Sequence, residues 1–170
     1  AEELNKGFLK RMRTGRPFVQ LKLAMSIDGK TAMANGESKW ITGAQARADV
    51  QQYRAKASAI LSTSQTVLAD NPSLNVRWAE LPQEVQTRYT EQNLRQPVRV
   101  ILDSAHKVRS DFNLFLTDSP VWLAGKDKFQ LNGFPASTEY LQLIPNEGES
   151  HLQALMSELG NRQVNTLWVE

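Results

Sequence analysis

Apolar positions recur at two periods along this chain, and the period changes at turn residues. Within residues 1–13, Leu4, Phe8 and Met12 stand four apart with Leu9 beside them, the stripe of an amphipathic helix that Gly15 and Pro17 end. From Phe18 the period falls towards two: Phe18, Val19, Leu21, Leu23 and Met25 predict a strand. One lysine, Lys22, interrupts its apolar set. Asp28-Gly29 marks a turn, and a polar loop from Asn35 to Lys39 ends on Trp40.

Thr42 with Gln45 three residues later reads as a capping box, so a helix is expected from there to about Lys56. Ala59 to Ser62 reads as a short buried strand, followed by hydroxyls at Thr63, Ser64 and Thr66 and a short helical turn. The segment from Asp70 to Arg77 is a loop, with Pro72 biasing Asn71 to an extended conformation. Residues 78–96 read as a polar surface excursion with a short helix. Strands are expected at 97–103, 120–125 and 141–144. Ser150 caps a helix that carries Leu152, Leu155, Met156 and Leu159 on one face, and Thr166 to Glu170 is a last strand. Strands alternating with helices imply an α/β fold with a mainly parallel sheet flanked by helices.

Composition narrows the chemistry. With 170 residues the chain fits a single domain, 1–170. Its net charge of +2, from 20 basic and 18 acidic groups, gives no reason to expect nucleic acid or a membrane as partner. No apolar run approaches the ~20 residues of a membrane span, and a cytoplasmic protein is the default. There is no cysteine, which excludes disulfides, thiol nucleophiles and thiolate zinc sites. His106 and His151 are the two histidines, far apart, so no metal is expected.

Several residues carry two readings each. Lys22 serves either as a site lysine at a strand end or as a strand lysine reaching solvent. The hydroxyls at 63–66 suit a phosphate at a helix start, or ordinary N-capping by Thr63 or Ser64. Arg47 and Arg54, seven apart on one helical face, belong to a solvated face or to a site.

The segments LKLAMSIDGKTAMANGESKWITG, AILSTSQTVLADNPSLNVR, VRVILDS and LWVE, in that order, resemble the reductase domain of the bifunctional riboflavin-biosynthesis deaminase/reductase. The resemblance spans the chain, with residues 1–15 similar to the junction after that family's deaminase domain. It implies a dihydrofolate-reductase-like fold, with the C-terminal strands and the glycine-rich loop that follow the WVE motif in the family missing here. It also implies NADPH-dependent reduction of 5-amino-6-(5-phosphoribosylamino)uracil to its ribityl product, and a homodimer. The alternatives are another reductase of this fold, or an inactive phosphate- or nucleotide-binding fragment.

Roles follow from the matched positions. The resemblance puts Lys22, Asp70 and Glu170 at the reacting groups. Ser38, Arg54, Leu74, Arg77 and Glu170 would hold the substrate, the arginines suiting its phosphate. Ala24, Trp40, Thr66, Asp70 and Ser104 would line the nicotinamide cofactor, with Ala24 small enough for a flat ring to approach.

Overall fold

The computed structural model describes residues 2–38 and 41–170, so Trp40 lies outside the described residues. Six strands form one sheet: β1 (Phe18–Leu21), β2 (Ala59–Thr63), β3 (Val98–Leu102), β4 (Val121–Gly125), β5 (Thr138–Gln142) and β6 (Thr166–Val169). Their spatial order is β1-β6-β2-β3-β4-β5, and every neighbouring pair is parallel. The helices are α1 (Lys6–Thr14), α2 (Ala44–Lys56), α3 (Ser64–Asp70), α4 (Gln83–Arg88) and α5 (His151–Asn161). The expected α/β architecture is present.

The inner strands β2, β3, β4 and β6 are buried on both faces, as a covered parallel sheet requires, while the edge strand β1 is not. One face carries Ile60, Ile101, Val121, Leu123 and Trp168, packed with Ala57 after α2 and Val67 of α3. Alternate residues Ala59, Leu61, Val100, Trp122, Ala124 and Leu167 face the other way, against Leu155 and Leu159 of α5. The winding accounts for this. The chain moves one way from β1 to β5, then α5 returns it to insert β6 between β1 and β2. Ligand sites of open α/β sheets form beyond the C-terminal strand ends where the order reverses. A Cβ at Gly160 would run into the backbone carbonyl of Gly15, so glycine there lets the end of α5 close on the α1–β1 turn.

Three expected boundaries need correction. The strand predicted through Met25 ends at Leu21. Its partner β6 ends at Val169, whose carbonyl takes the Lys22 N–H at 2.9 Å, and residues beyond have no neighbour to pair with. Leu23 and Met25 are accordingly exposed. The Thr42–Gln45 capping box does not form: Gly43 is the N-cap of α2, one residue too late for the Thr42 side chain. The Thr42 carbonyl instead accepts from Arg47 Nη1 at 2.6 Å. The strand expected at 141–144 lies at Thr138–Gln142, where pairing with the whole of β4 fixes it, and Ile144 is exposed.

Arg99 lies fully buried in β3, without a carboxylate partner among the described residues. Its Nη1 donates to the Leu114 carbonyl at 2.5 Å and to Thr117 Oγ1 at 2.7 Å, and its Nη2 to the Ser119 carbonyl. Burial pushes this guanidinium down to about 10. It ties the loop before β4 to the sheet.

Candidate active site

The C-terminal ends of β1, β6, β2 and β3 are neighbours, and each delivers expected site residues. Lys22 is the first residue after β1, Glu170 the first after β6, α3 with Thr66 follows β2, and Ser104 comes two residues after β3. The ladder continues one step past the strands, since the Glu170 N–H reaches the Leu61 carbonyl at 3.1 Å. Lys22 and Ala24 are both partly buried, and the residues between and beside them are exposed, so period two persists although pairing stops. The Lys22 side chain makes no hydrogen bond or ion pair with the described residues.

Glu170 and Arg54 meet. Arg54 Nε and Nη2 lie 2.8 and 2.7 Å from the same oxygen, Glu170 Oε1. Their side chains are only 12% and 8% exposed. Arg54 Nη1 donates to the Asn75 carbonyl at 2.9 Å, and Ser62 Oγ to the Glu170 carbonyl at 2.7 Å. Beneath this pair the Tyr53 ring stacks on Trp168, with centroids 4.9 Å apart. Arg54 therefore lies on the sheet side of α2 rather than on a solvated face, and it orients Glu170. Both oxygen-directed N–H groups take Oε1, which leaves Oε2 as an acceptor.

Arg77 is exposed and forms a two-pronged pair with Glu80, at 2.5 Å from Nε to Oε1 and 2.8 Å from Nη2 to Oε2. That contact holds the Glu80 carboxyl below its ordinary value. Neither arginine thus stands unpaired: Arg54 holds Glu170 and Arg77 holds Glu80. Leu74 lies between the two arginines in the chain. Only 4% exposed and with φ at +49°, it turns its side chain into the core beside Ile60 and Ile101.

Thr63 caps α3, its Oγ1 accepting the Thr66 N–H at 3.3 Å, so the capping reading of the hydroxyl cluster holds for Thr63. Thr66 is partly buried within α3, and Asp70 closes that helix on the surface. Ser104 is exposed, following a buried Asp103 whose carboxylate accepts the N–H groups of Lys107 and Val108 at 2.9 and 2.8 Å. Ser38 sits in an exposed loop, and no contact with another described residue joins it to the strand-end group. Among the described residues no group of three or more His, Asp or Glu side chains is arranged to hold a metal.

Sequence reasoning missed Gln51, which is 1% exposed and accepts the Arg77 N–H at 3.0 Å. It also missed Gln96 and Asp103. A lone glutamine on a helix carries no signal. Asp103 does carry one, since a carboxylate at the end of a strand followed by Ser-Ala marks a side-chain-bonded turn.

Comparison with known proteins identifies the family. A model of the RibD C-terminal domain family matches residues 17–170. The riboflavin biosynthesis protein RibD of Haemophilus influenzae is 63% identical over 170 residues, covering 100% of this chain and 45% of that protein. A protein of Buchnera aphidicola named 5-amino-6-(5-phosphoribosylamino)uracil reductase is 38% identical over 138 residues, covering 81% of this chain and 66% of its own length. The solved structure of Acinetobacter baumannii RibD superposes with a TM-score of 0.82 at 37% identity, covering 99% of this chain and 44% of that one. The chain thus spans about half the length of the RibD proteins it matches.

Proposed function

This chain belongs to the RibD C-terminal domain family, and from that membership we propose that it reduces the ribose of 5-amino-6-(5-phosphoribosylamino)uracil to the ribityl product with NADPH. One observation carries the reading: Lys22, Glu170, Thr66 and Ser104 follow four adjacent parallel strands, at the end of the sheet where α/β enzymes bind ligands.

Each residue has work in that reaction. Glu170, anchored through Oε1 by Arg54, presents Oε2 to an N–H or O–H of the substrate. Lys22 brings an ammonium group to the neighbouring strand end, where it donates to a pyrimidine carbonyl or polarises the imine of the opened sugar. Arg77 and Ser38 take the phosphate, with Glu80 giving way to the dianion at Arg77. The donor set also suits a nicotinamide nucleotide. Ala24 offers a small apolar surface to the ring, Thr66 and Ser104 offer hydroxyls, and Asp70 offers a carboxylate to ribose hydroxyls, with Trp40 assigned to the same pocket by the family resemblance. When bound, the nicotinamide supplies the hydride.

NADPH over NADH, a homodimer and a cytoplasmic setting belong to this reading as expectations of the resemblance and composition. Among the described residues no helix is long and apolar enough to cross a membrane. The test is absorbance-monitored NADPH oxidation with the phosphoribosylaminopyrimidine supplied, beside NADH and beside a folate substrate. Oxidation with the pyrimidine alone supports the reading; oxidation with folate alone, or none, refutes it.

A further inference from the structure

The segment from Ser73 to Arg77 belongs to no helix or strand, yet side chains hold its backbone at almost every residue. Arg99 Nη1 reaches the Ser73 carbonyl at 3.4 Å, and Arg54 Nη1 the Asn75 carbonyl at 2.9 Å. Gln96 bridges both backbone groups of Val76: its Oε1 accepts the N–H at 2.8 Å and its Nε2 donates to the carbonyl at 2.9 Å. Gln51 Oε1 accepts the Arg77 N–H at 3.0 Å, and Gln51 Nε2 donates to Glu80 Oε2 at 3.3 Å.

The pattern is that of a strand paired on both edges. In extended backbone, the N–H and C=O of one residue point to one side, and the preceding C=O and following N–H point to the other. Val76 turns both of its groups to Gln96. Asn75 and Arg77 turn theirs to Arg54 and Gln51, which are three apart on α2 and so share a face. Side-chain amides and a guanidinium stand where neighbouring strands would. Glutamine suits the Val76 position because its amide carries both a donor and an acceptor. The pairing fixes period two, with Val76 buried and Arg77 outward. A slip of one residue would turn the arginine to the core.

We infer that Gln51 and Gln96 are positioning residues that hold the Arg77 side chain outward in register for the substrate's phosphate. The inference rests on the proposed function, because it takes Arg77 to be a phosphate ligand.

The experiment is steady-state kinetics on the protein as the cell makes it, with Gln51→Met, Gln96→Met, Arg77→Ala and the double variants. The expected result is a rise in KM for the phosphoribosyl pyrimidine of about tenfold for each glutamine variant, the effect of roughly one lost oriented hydrogen bond. The KM for NADPH stays unchanged and kcat stays within about twofold, since the lost interaction is equal in ground and transition states. In the Arg77→Ala background the glutamine substitutions add nothing further, because their effect passes through that arginine. Gln96→Glu, which keeps the acceptor for the Val76 N–H, restores part of the affinity. Leu159→Ala in the α5 core lowers thermal stability with KM unchanged, which separates positioning from general loosening. An unchanged KM in the glutamine variants, or a full additional loss on top of Arg77→Ala, overturns the inference. Failure of the wild-type protein to use the phosphoribosyl pyrimidine at all overturns the proposed function instead.

Discussion

Replacing Arg54 by Met leaves Glu170 as a carboxylate that is 8% exposed and without its cation. At 2.7 Å and an effective dielectric constant of about 20, the pair attracts by about 6 kcal/mol. Desolvation of two nearly buried ions offsets most of that, several kcal/mol for each. The intact pair is therefore worth little against neutral groups of the same shape, whereas removing one partner of such a pair costs about 3–5 kcal/mol. Loss of the bond to the Asn75 carbonyl adds about 1 kcal/mol. For a chain of this size, about 3 kcal/mol lowers the melting temperature by about 6–12 °C. The assay is urea unfolding followed by tryptophan fluorescence, for which Trp168 beside Tyr53 is a reporter close to the change. The expected outcome is a large loss in Arg54→Met and substantial recovery in Arg54→Met with Glu170→Gln, where no buried charge is left alone. Substrate affinity falls in both, because neither presents an oriented carboxylate. Equal losses in the single and double variants would refute the reasoning.

Three further outcomes are expected. Lys22→Met lowers turnover by about 10²–10⁴-fold, the usual worth of a positioned proton donor, with a smaller change in substrate affinity, read by single-turnover kinetics. Gly160→Ala destabilises by about 1–3 kcal/mol through overpacking against the Gly15 carbonyl, measured by thermal melting, with substrate affinity unchanged. Arg77 depresses the Glu80 carboxyl, so the pair adds stability above the unfolded carboxylate value and loses it as pH falls through the depressed folded value. Being half exposed it contributes about 0.2–1 kcal/mol, and Arg77→Ala removes that acid-side dependence in urea titrations.

The period-two and helical patterns, with their turn residues, reveal four of the six strands near their true bounds. Where they fail, pairing decides. The apolar alternation of residues 18–25 has nothing to say about where the neighbouring strand ends, and that neighbour lies far along the chain. The apolar run at 141–144 misplaces β5 because Thr138 and Tyr140, less apolar, complete its register with β4. The strand-end residues Lys22, Thr66, Ser104 and Glu170 were picked out by the family resemblance, and the parallel sheet gathers their strand ends at one edge. The pairings that set them were not. Arg54 with Glu170 spans 116 positions, and Gln96 with Val76 spans 20, distances over which a single sequence gives no signal.

The central claim is reduction at the sugar carbon by a nicotinamide cofactor bound at the sheet end beyond β1, β6, β2 and β3. Its most direct test supplies NADPH deuterated at the transferable nicotinamide position together with 5-amino-6-(5-phosphoribosylamino)uracil, and reads the product by mass spectrometry. The account predicts a ribitylamino product with deuterium on the former anomeric carbon, formed by the wild-type protein and strongly reduced in Lys22→Met. A product without deuterium, or turnover untouched by Lys22→Met, would contradict it.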